Sequence, residues 1–253
     1  ALTSFNSDGF TLGDNSESNT QNYTYESWNW KETATAGFDI VSYTGNGSNP
    51  RTISHNLSAV PKMIIIKNRD QATDWNIYHQ AIGNDKTILL NTTDASFSSA
   101  VWNSTTPTSS VFTLGANDVN TDTKNYIAYC FAEKQGYSKF GSYAGNGSTN
   151  GPFVYTGFKP AFVMRKSYSA GHNSNWLIHD TKINTFNEAI IQLSANVADA
   201  QVTEAGNGID ILSNGFKMKD TGTWSNGSGR SYIYMAFAEN PFVTSTGVPA
   251  TAR

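Results

Sequence analysis

The chain has 253 residues, a formal net charge of −3 and a pI near 5.8, a balance that excludes the basic surface expected for nucleic-acid or anionic-membrane binding. Only 15% of the residues are charged while 13% are aromatic, and Asn, Ser, Thr and Gly are abundant, which is typical of a β-rich protein with polar loops. No apolar stretch approaches the ~20 residues needed to cross a bilayer, so no membrane insertion is expected, and the single cysteine, Cys130, excludes an intrachain disulfide.

The first 36 residues contain two short strand-like runs, residues 8–13 and residues 23–30, separated by a polar loop. The same order recurs at Val111–Leu114 and residues 126–133. Each run is rich in aromatic and β-favouring residues and is bounded by Asn, Gly or Ser. Residues 1–36 are therefore expected to be the last two strands of an upstream repeat, packed on another β-unit.

Residues 37–135 read as the first full repeat. Asn46-Gly47 is a turn signal between two strands. Residues 63–67 form a continuous apolar run of the kind that is buried on both faces of a sheet. A strand around Trp75 follows, then a Ser/Thr-rich segment at residues 92–110, and the strand at residues 126–133 closes the unit.

Residues 136–242 repeat that plan, and residues 243–253 form an irregular C-terminal tail. Tyr143 lies 100 residues after Tyr43 in matching Gly-Asn-Gly-Ser contexts, and residues 232–239 follow residues 126–133 by 106. Self-similarity at a fixed period indicates a repeat architecture. The sequence therefore predicts an all-β fold of tandem antiparallel, jelly-roll-like β-sandwich repeats of about 100 residues each.

Several ordered blocks resemble a tandem β-repeat domain of unknown function in virion structural proteins of marine, cyanophage-like phages. These blocks are residues 54–57 and 61–69, Asp74-Trp75, and residues 126–132, 136–143 and 232–242. The resemblance covers nearly the whole chain and brings no catalytic motif with it. It implies a non-enzymatic structural protein of the virion, a tail fibre, knob or capsid projection, which contacts other virion proteins and presents loops to a host-surface glycan.

The residues themselves offer no catalytic set. Glu133 and Glu239 occupy matching positions in different repeats, so they are not a carboxylate pair facing one groove. The histidines show no zinc-binding spacing; they are His55, His79, His172 and His179. We therefore expect no enzyme and no cofactor. The alternative is a carbohydrate-active depolymerase, or the glycan-binding module of an enzyme.

A metal site is not expected either. Asp118, Asn120 and Asp122 place oxygen atoms at alternate positions, as calcium loops do. Thr123 and Tyr129 stand where an EF-hand needs glycine and glutamate, so that motif is excluded. A looser surface ion site at the three residues is the alternative to a plain polar hairpin loop, which we favour.

The aromatic residues supply the candidate binding site. Trp224 stands in a loop of Thr, Gly, Asn and Ser, where an exposed indole can stack on a sugar while amides bond its hydroxyls. Asn226 and Trp102 complete the candidate glycan site. Trp224 could instead fold back over the sandwich or enter a subunit contact. Trp75 and Trp176 occupy matching strand positions and are interpreted as core residues.

Assembly is the expected source of additional stability. The short units contain no disulfide and no metal site, so burial between subunits would supply what they lack. We expect a homo-oligomer, and the resemblance to phage fibres makes three copies the predicted number. The resemblance also places the protein at the surface of an extracellular virion.

Overall fold

The computed structural model of the chain describes residues 2–115 and 118–239. Over these residues it contains nineteen β-strands in antiparallel sheets and a single 3-10 turn, Ala205–Asn207. The expected all-β, antiparallel class is confirmed. No helix in this part of the chain is long and apolar enough to span a bilayer. The predicted tail, residues 243–253, and residues 240–242 lie outside the described residues.

The chain divides into two compact units, Ala1–Lys31 and Glu32–Arg253. In the first unit, β1 (Leu2–Phe5) pairs antiparallel with β2 (Phe10–Leu12). The strand predicted at residues 23–30 is wrong, because these residues have no strand assignment. A strand requires a ladder partner, and no described strand pairs with this segment.

The first half of the larger unit, residues 37–135, contains a six-stranded and a two-stranded sheet. Its strands are β3 (Phe38–Thr44), β4 (Arg51–Ser54), β5 (Met63–Asn68), β6 (Asn76–His79), β7 (Lys86–Leu89), β8 (Phe97–Ser98), β9 (Val111–Leu114) and β10 (Asn125–Phe131). The large sheet has the order β3-β10-β5-β6-β7-β8, and β4 pairs with β9 in the small one.

The second half, residues 136–239, contains a six-stranded and a three-stranded sheet. Its strands are β11 (Ser138–Ala144), β12 (Phe153–Tyr155), β13 (Phe162–Ser167), β14 (Leu177–Asp180), β15 (Ile191–Ser194), β16 (Val202–Thr203), β17 (Ile209–Leu212), β18 (Gly215–Met218) and β19 (Ser231–Phe237). The large sheet has the order β11-β19-β13-β14-β15-β16, and the small one β12-β18-β17.

The two large sheets have the same strand order, and β10 and β19 occupy the same place in it. Tyr126 of β10 is paired with Tyr43 in the preceding strand of the sheet order. Tyr232 of β19 is paired with Tyr143 in the same way. The recurring sequence blocks therefore occupy corresponding sheet positions in the two halves.

Each half packs its large sheet against its small sheet in a sandwich-like arrangement. In the first half, Ile64 and Ile66 of β5 share a buried core with Phe112 of β9. In the second half, Val163 of β13 shares a core with Phe216 of β18. Because side chains alternate along a strand, only one face of each large sheet is used in this way.

The opposite faces of the two large sheets pack against each other. The ring of Phe131 lies 6.1 Å from the ring of Phe237, edge to face. Nε2 of His79 lies 3.3 Å from the carbonyl oxygen of Tyr234. The larger unit is therefore built in four layers, small, large, large, small. This packing explains why Met63 and its three successors on β5 are all buried, as predicted for a strand with two covered faces.

Candidate functional site

Trp102, one of the predicted glycan-binding residues, is part of the first-half core. Its side chain is 1% exposed and meets the ring of Tyr78 edge to face at 5.6 Å. The indole Nε1 has no hydrogen-bond partner among the residues that the structure describes. A buried indole offers no ring face to a sugar, so the glycan-binding prediction does not fit where the structure places Trp102.

Asn226 is also buried, and its amide is occupied by the protein itself. Nδ2 donates to Oδ1 of Asn146 at 3.1 Å, to the carbonyl of Ser148 at 2.8 Å and to the carbonyl of Asp220 at 2.7 Å. Oδ1 accepts from the backbone N–H of Asn146 at 3.0 Å. The side chain ties two loops together and has no group left for a ligand.

Asn120, the middle residue of the candidate ion loop, makes corresponding bonds in the first half. Its Nδ2 donates to Oδ1 of Asn46 at 3.1 Å and to the carbonyl of Ser48 at 2.8 Å. Its Oδ1 accepts from the guanidinium of Arg51 at 2.7 Å, which places a cation where a metal would stand. Asp118 and Asp122 are exposed, and no group of three His, Cys, Asp or Glu able to hold a metal occurs among the described residues.

Trp224 is the predicted candidate that reaches solvent. It is 44% exposed. The neighbouring carbonyl of Thr223 accepts from the guanidinium of Arg230 and from the hydroxyl of Tyr232, both at 2.8 Å. The same hydroxyl accepts from the backbone N–H of Gly227 at 2.8 Å. The indole thus stands on an anchored loop.

A buried polar cluster lies in the interior of the second half. Nη1 of Arg165 lies 3.0 Å from Nδ1 of His179, and its Nη2 donates to the carbonyl of Asn207 at 2.6 Å. Ser225 donates to Oδ1 of Asp220 at 2.8 Å. Burial is the main reason that the pKa of His179 lies well below its ordinary value, and the charge of Arg165 is the second reason. Burial also raises the pKa of Asp220.

Two other titratable groups bridge the halves. Burial lowers the pKa of His79, which bonds the backbone of Tyr234, to about 4. Lys166 donates to the carbonyl of Thr92 in the first half at 3.2 Å and to the carbonyl of Ser174 in the second half at 2.5 Å. Burial lowers the pKa of Lys166 to about 8. His79 and Lys166 are thus both engaged in hydrogen bonds between the two halves of the protein.

A cleft of about 270 Å³ in the second half includes Lys159, Thr181 and Glu239 in its wall. The carboxylate of Glu239 bonds Nζ of Lys182 at 2.5 Å. This hydrogen bond lowers the pKa of Glu239. A glycosidase acid needs the opposite shift, because it must hold a proton near neutral pH. Glu239 therefore does not show the raised pKa of a glycosidase acid.

A pair of exposed aromatic residues lies on the small sheet of the second half. Phe153 and Tyr155 of β12 flank the buried Val154, so both point away from the core. Phe153 is 46% exposed and Tyr155 is 64% exposed. Lys217 of β18 lies directly opposite Phe153 in the ladder. This face combines two rings with a cation.

The comparison with protein families assigns the chain. A family model described as "Domain of unknown function (DUF7483)" matches residues 1–241. The chain belongs to the DUF7483 family. Comparisons with curated proteins and with solved structures found no match.

In this DUF7483 chain the predicted glycan-binding residues do not form one site. Trp102 lies in the first half, and within the loop of the second half Asn226 points inward while Trp224 is exposed. Phe153 and Tyr155 were not predicted from the sequence as binding residues. The signal was their alternation with Val154 in a strand whose first-half counterpart carries Thr52 and Ser54. The two otherwise matching strands therefore differ in the side chains that they expose.

Proposed function

We propose that this protein is a non-enzymatic structural component of a phage virion, forming part of a tail fibre, knob or capsid projection at the particle surface. The observation that supports a structural role is that two of its interior titratable groups form hydrogen bonds between the two halves. His79 bonds Tyr234 across the two large sheets, and Lys166 bonds Thr92 across the same boundary. The phage assignment rests on the resemblance carried by the recurring sequence blocks.

The finer architecture belongs to the same proposal. The two halves are tandem, jelly-roll-like sandwich repeats, one of residues 37–135 and one beginning at residue 136. The matching strand orders of the two large sheets support this interpretation. So does the matching pair of stacked tyrosines, Tyr43 with Tyr126 at 5.1 Å and Tyr143 with Tyr232 at 5.0 Å. Such an array builds a rigid projection, because neighbouring units share buried surface.

Attachment to a host-surface glycan is the proposed activity of the exposed loop. Trp224 offers an indole face on a loop whose backbone is held by Arg230 and Tyr232. A ring held in place loses little conformational freedom on binding, which favours stacking on a sugar. The Trp224→Ala variant is expected to weaken binding to host envelope polysaccharide while its melting temperature stays unchanged.

Antibodies raised against the chain test the virion assignment. Gold-labelled antibody should decorate purified particles of the encoding phage at a projection or fibre. Absence of the chain from purified particles would overturn the assignment. Incubation with host envelope polysaccharide tests the enzymatic alternative, since a depolymerase shortens the chains and a structural protein leaves their length unchanged.

We also propose that the protein works as a homo-oligomer of three copies, in contact with other virion proteins. Fibre-like proteins gain stability when subunit faces are buried, and stability then depends on protomer concentration. Sedimentation equilibrium should give a trimer mass, and the melting temperature should fall on hundredfold dilution. A folded monomer whose melting temperature is independent of concentration would contradict this proposal.

A further inference from the structure

The outer face of β12 carries two aromatic side chains that no other described strand of the small sheet covers. β12 is an edge strand in the order β12-β18-β17. Its central residue, Val154, is buried in the core, so Phe153 and Tyr155 both project on the solvent side. Residues two apart on one strand face are about 6.6 Å apart, so the two rings are neighbours on this face.

Glycine residues shape the surface under the rings. A Cβ at Gly215, opposite Tyr155 in the ladder, would lie 3.0 Å from ring carbons of Phe153 and 2.1 Å from the carbonyl oxygen of Val154. A Cβ at Gly157 would lie 3.5 Å from the Tyr155 hydroxyl. The rings therefore lie close to backbone that carries no side chain, and both residues remain exposed.

Charged groups stand beside the rings on the same face. Lys217 is opposite Phe153, and Asp210 is opposite Lys217. Nζ of Lys217 donates to the neutral amide oxygen of Asn150 at 2.6 Å. The carboxylate of Asp210 has its ion pair with Lys219 at 3.5 Å. Lys217, opposite Phe153 in the ladder, thus carries a positive charge that pairs with no carboxylate among the described residues.

The first half provides an internal comparison. Its strand β4 pairs Ile53 with Phe112, as β12 pairs Val154 with Phe216. The residues that flank Ile53 are Thr52 and Ser54, which are small and polar. The same fold is therefore built without aromatic residues at these positions. The exposed aromatic pair is therefore particular to the second half.

We propose that Phe153, Tyr155 and Lys217 form a binding site for a saccharide that carries carboxylate groups. Aromatic faces cover the apolar C–H surface of sugar rings, and an amine bonds hydroxyl and carboxylate oxygens. The unpaired cation beside the rings complements the charge of such a ligand and decides against a neutral one. The proposal deepens the glycan attachment proposed above but is independent of Trp224.

Calorimetric titration of the full chain with a hexamer of galacturonic acid, beside neutral maltohexaose, tests the site. The variant F153T/Y155S takes the first-half residues and should bind the acidic hexamer about tenfold more weakly or worse. Lys217→Gln should weaken the acidic hexamer alone, and raised salt should reproduce that loss. Phe186→Ser, which alters an exposed aromatic residue elsewhere, should bind like the unmodified chain.

The outcomes separate this site from the attachment function. The proposed site is supported if F153T/Y155S loses binding to the acidic hexamer and Trp224→Ala does not. Circular dichroism and the melting temperature must show that F153T/Y155S is folded. Loss only with Trp224→Ala overturns this site and keeps glycan attachment. Failure of the unmodified chain to bind either hexamer overturns this site, and attachment then depends on the polysaccharide test above. A change in sedimentation mass of F153T/Y155S without a change in binding would show a subunit contact instead.

Discussion

Asn226 and Asn146 bond each other in both directions. The backbone N–H of Asn146 donates to Oδ1 of Asn226 at 3.0 Å, and Nδ2 of Asn226 donates back to Oδ1 of Asn146 at 3.1 Å. Asn120 and Asn46 repeat the arrangement in the first half, at 3.2 and 3.1 Å. An asparagine at this place therefore closes the same loop junction in both halves.

Replacing Asn226 with alanine should lower the free energy of unfolding by about 3 kcal/mol, because the partly buried carbonyl of Ser148 and the buried carbonyl of Asp220 lose their donor. Urea denaturation measures the change. Asn173→Ala, at an exposed position, serves as the control and should stay within about 0.5 kcal/mol of the unmodified chain. Equal stability of the two variants would contradict the assigned role.

Acid should destabilise the protein through His79. Its pKa falls from 6.5 to about 4 in the fold, so between these values the unfolded chain binds more protons. The contribution of His79 to the free energy of unfolding is complete above pH 6.5. It disappears as the pH falls towards 4, which lowers the free energy of unfolding by about 3 kcal/mol. Urea midpoints from pH 7 to pH 4 measure it. The His79→Gln variant keeps a donor for Tyr234 and should show a shallower decline; an identical decline would refute this assignment.

The stability that the Arg165 side chain provides should depend on Asp220, although the two residues form no ion pair within 4.0 Å. The Arg165→Ile variant introduces the residue type of Ile66, which holds the matching position in the first half. It should lower the free energy of unfolding by about 3 kcal/mol, because it leaves the buried carboxylate of Asp220 without a cation. The double variant R165I/D220N should recover much of that cost. A double-mutant cycle in urea reports the coupling, and strictly additive effects would show that the two groups act independently.

The packing of the large sheets should make the halves unfold together. Phe237→Ala removes a buried ring that meets Phe131 at 6.1 Å and should cost about 3–5 kcal/mol. Phe97→Ala, at a half-exposed position, should cost far less. Calorimetry should show one transition for the unmodified chain and a lower, still single one for Phe237→Ala. Two separated transitions would mean that the shared face contributes little.

The strands and their recurrence were predictable from the sequence, because they depend on local pattern. Aromatic and β-branched runs at β10 and β19 occur in matching contexts, and their places in the two sheets correspond. The apolar run of β5 was correctly predicted to be covered on both faces. Turn signals such as Asn46-Gly47 act over a few residues. Local information of this kind is sufficient for the fold class and for these strands, but it was misleading at residues 23–30, where no described strand supplies a ladder partner.

Burial of individual side chains was decided by the tertiary structure, since it depends on contacts between residues far apart in the chain. Trp102 and Trp224 both stand in polar segments, but Trp102 packs on Tyr78 in the core while Trp224 reaches solvent. Asn226 looked like a loop amide free for a ligand, and Asn146, 80 residues earlier, occupies it. The exposure of Phe153 likewise follows from the tertiary structure, because Val154 next to it packs into the core and leaves Phe153 on the outer face of the sheet.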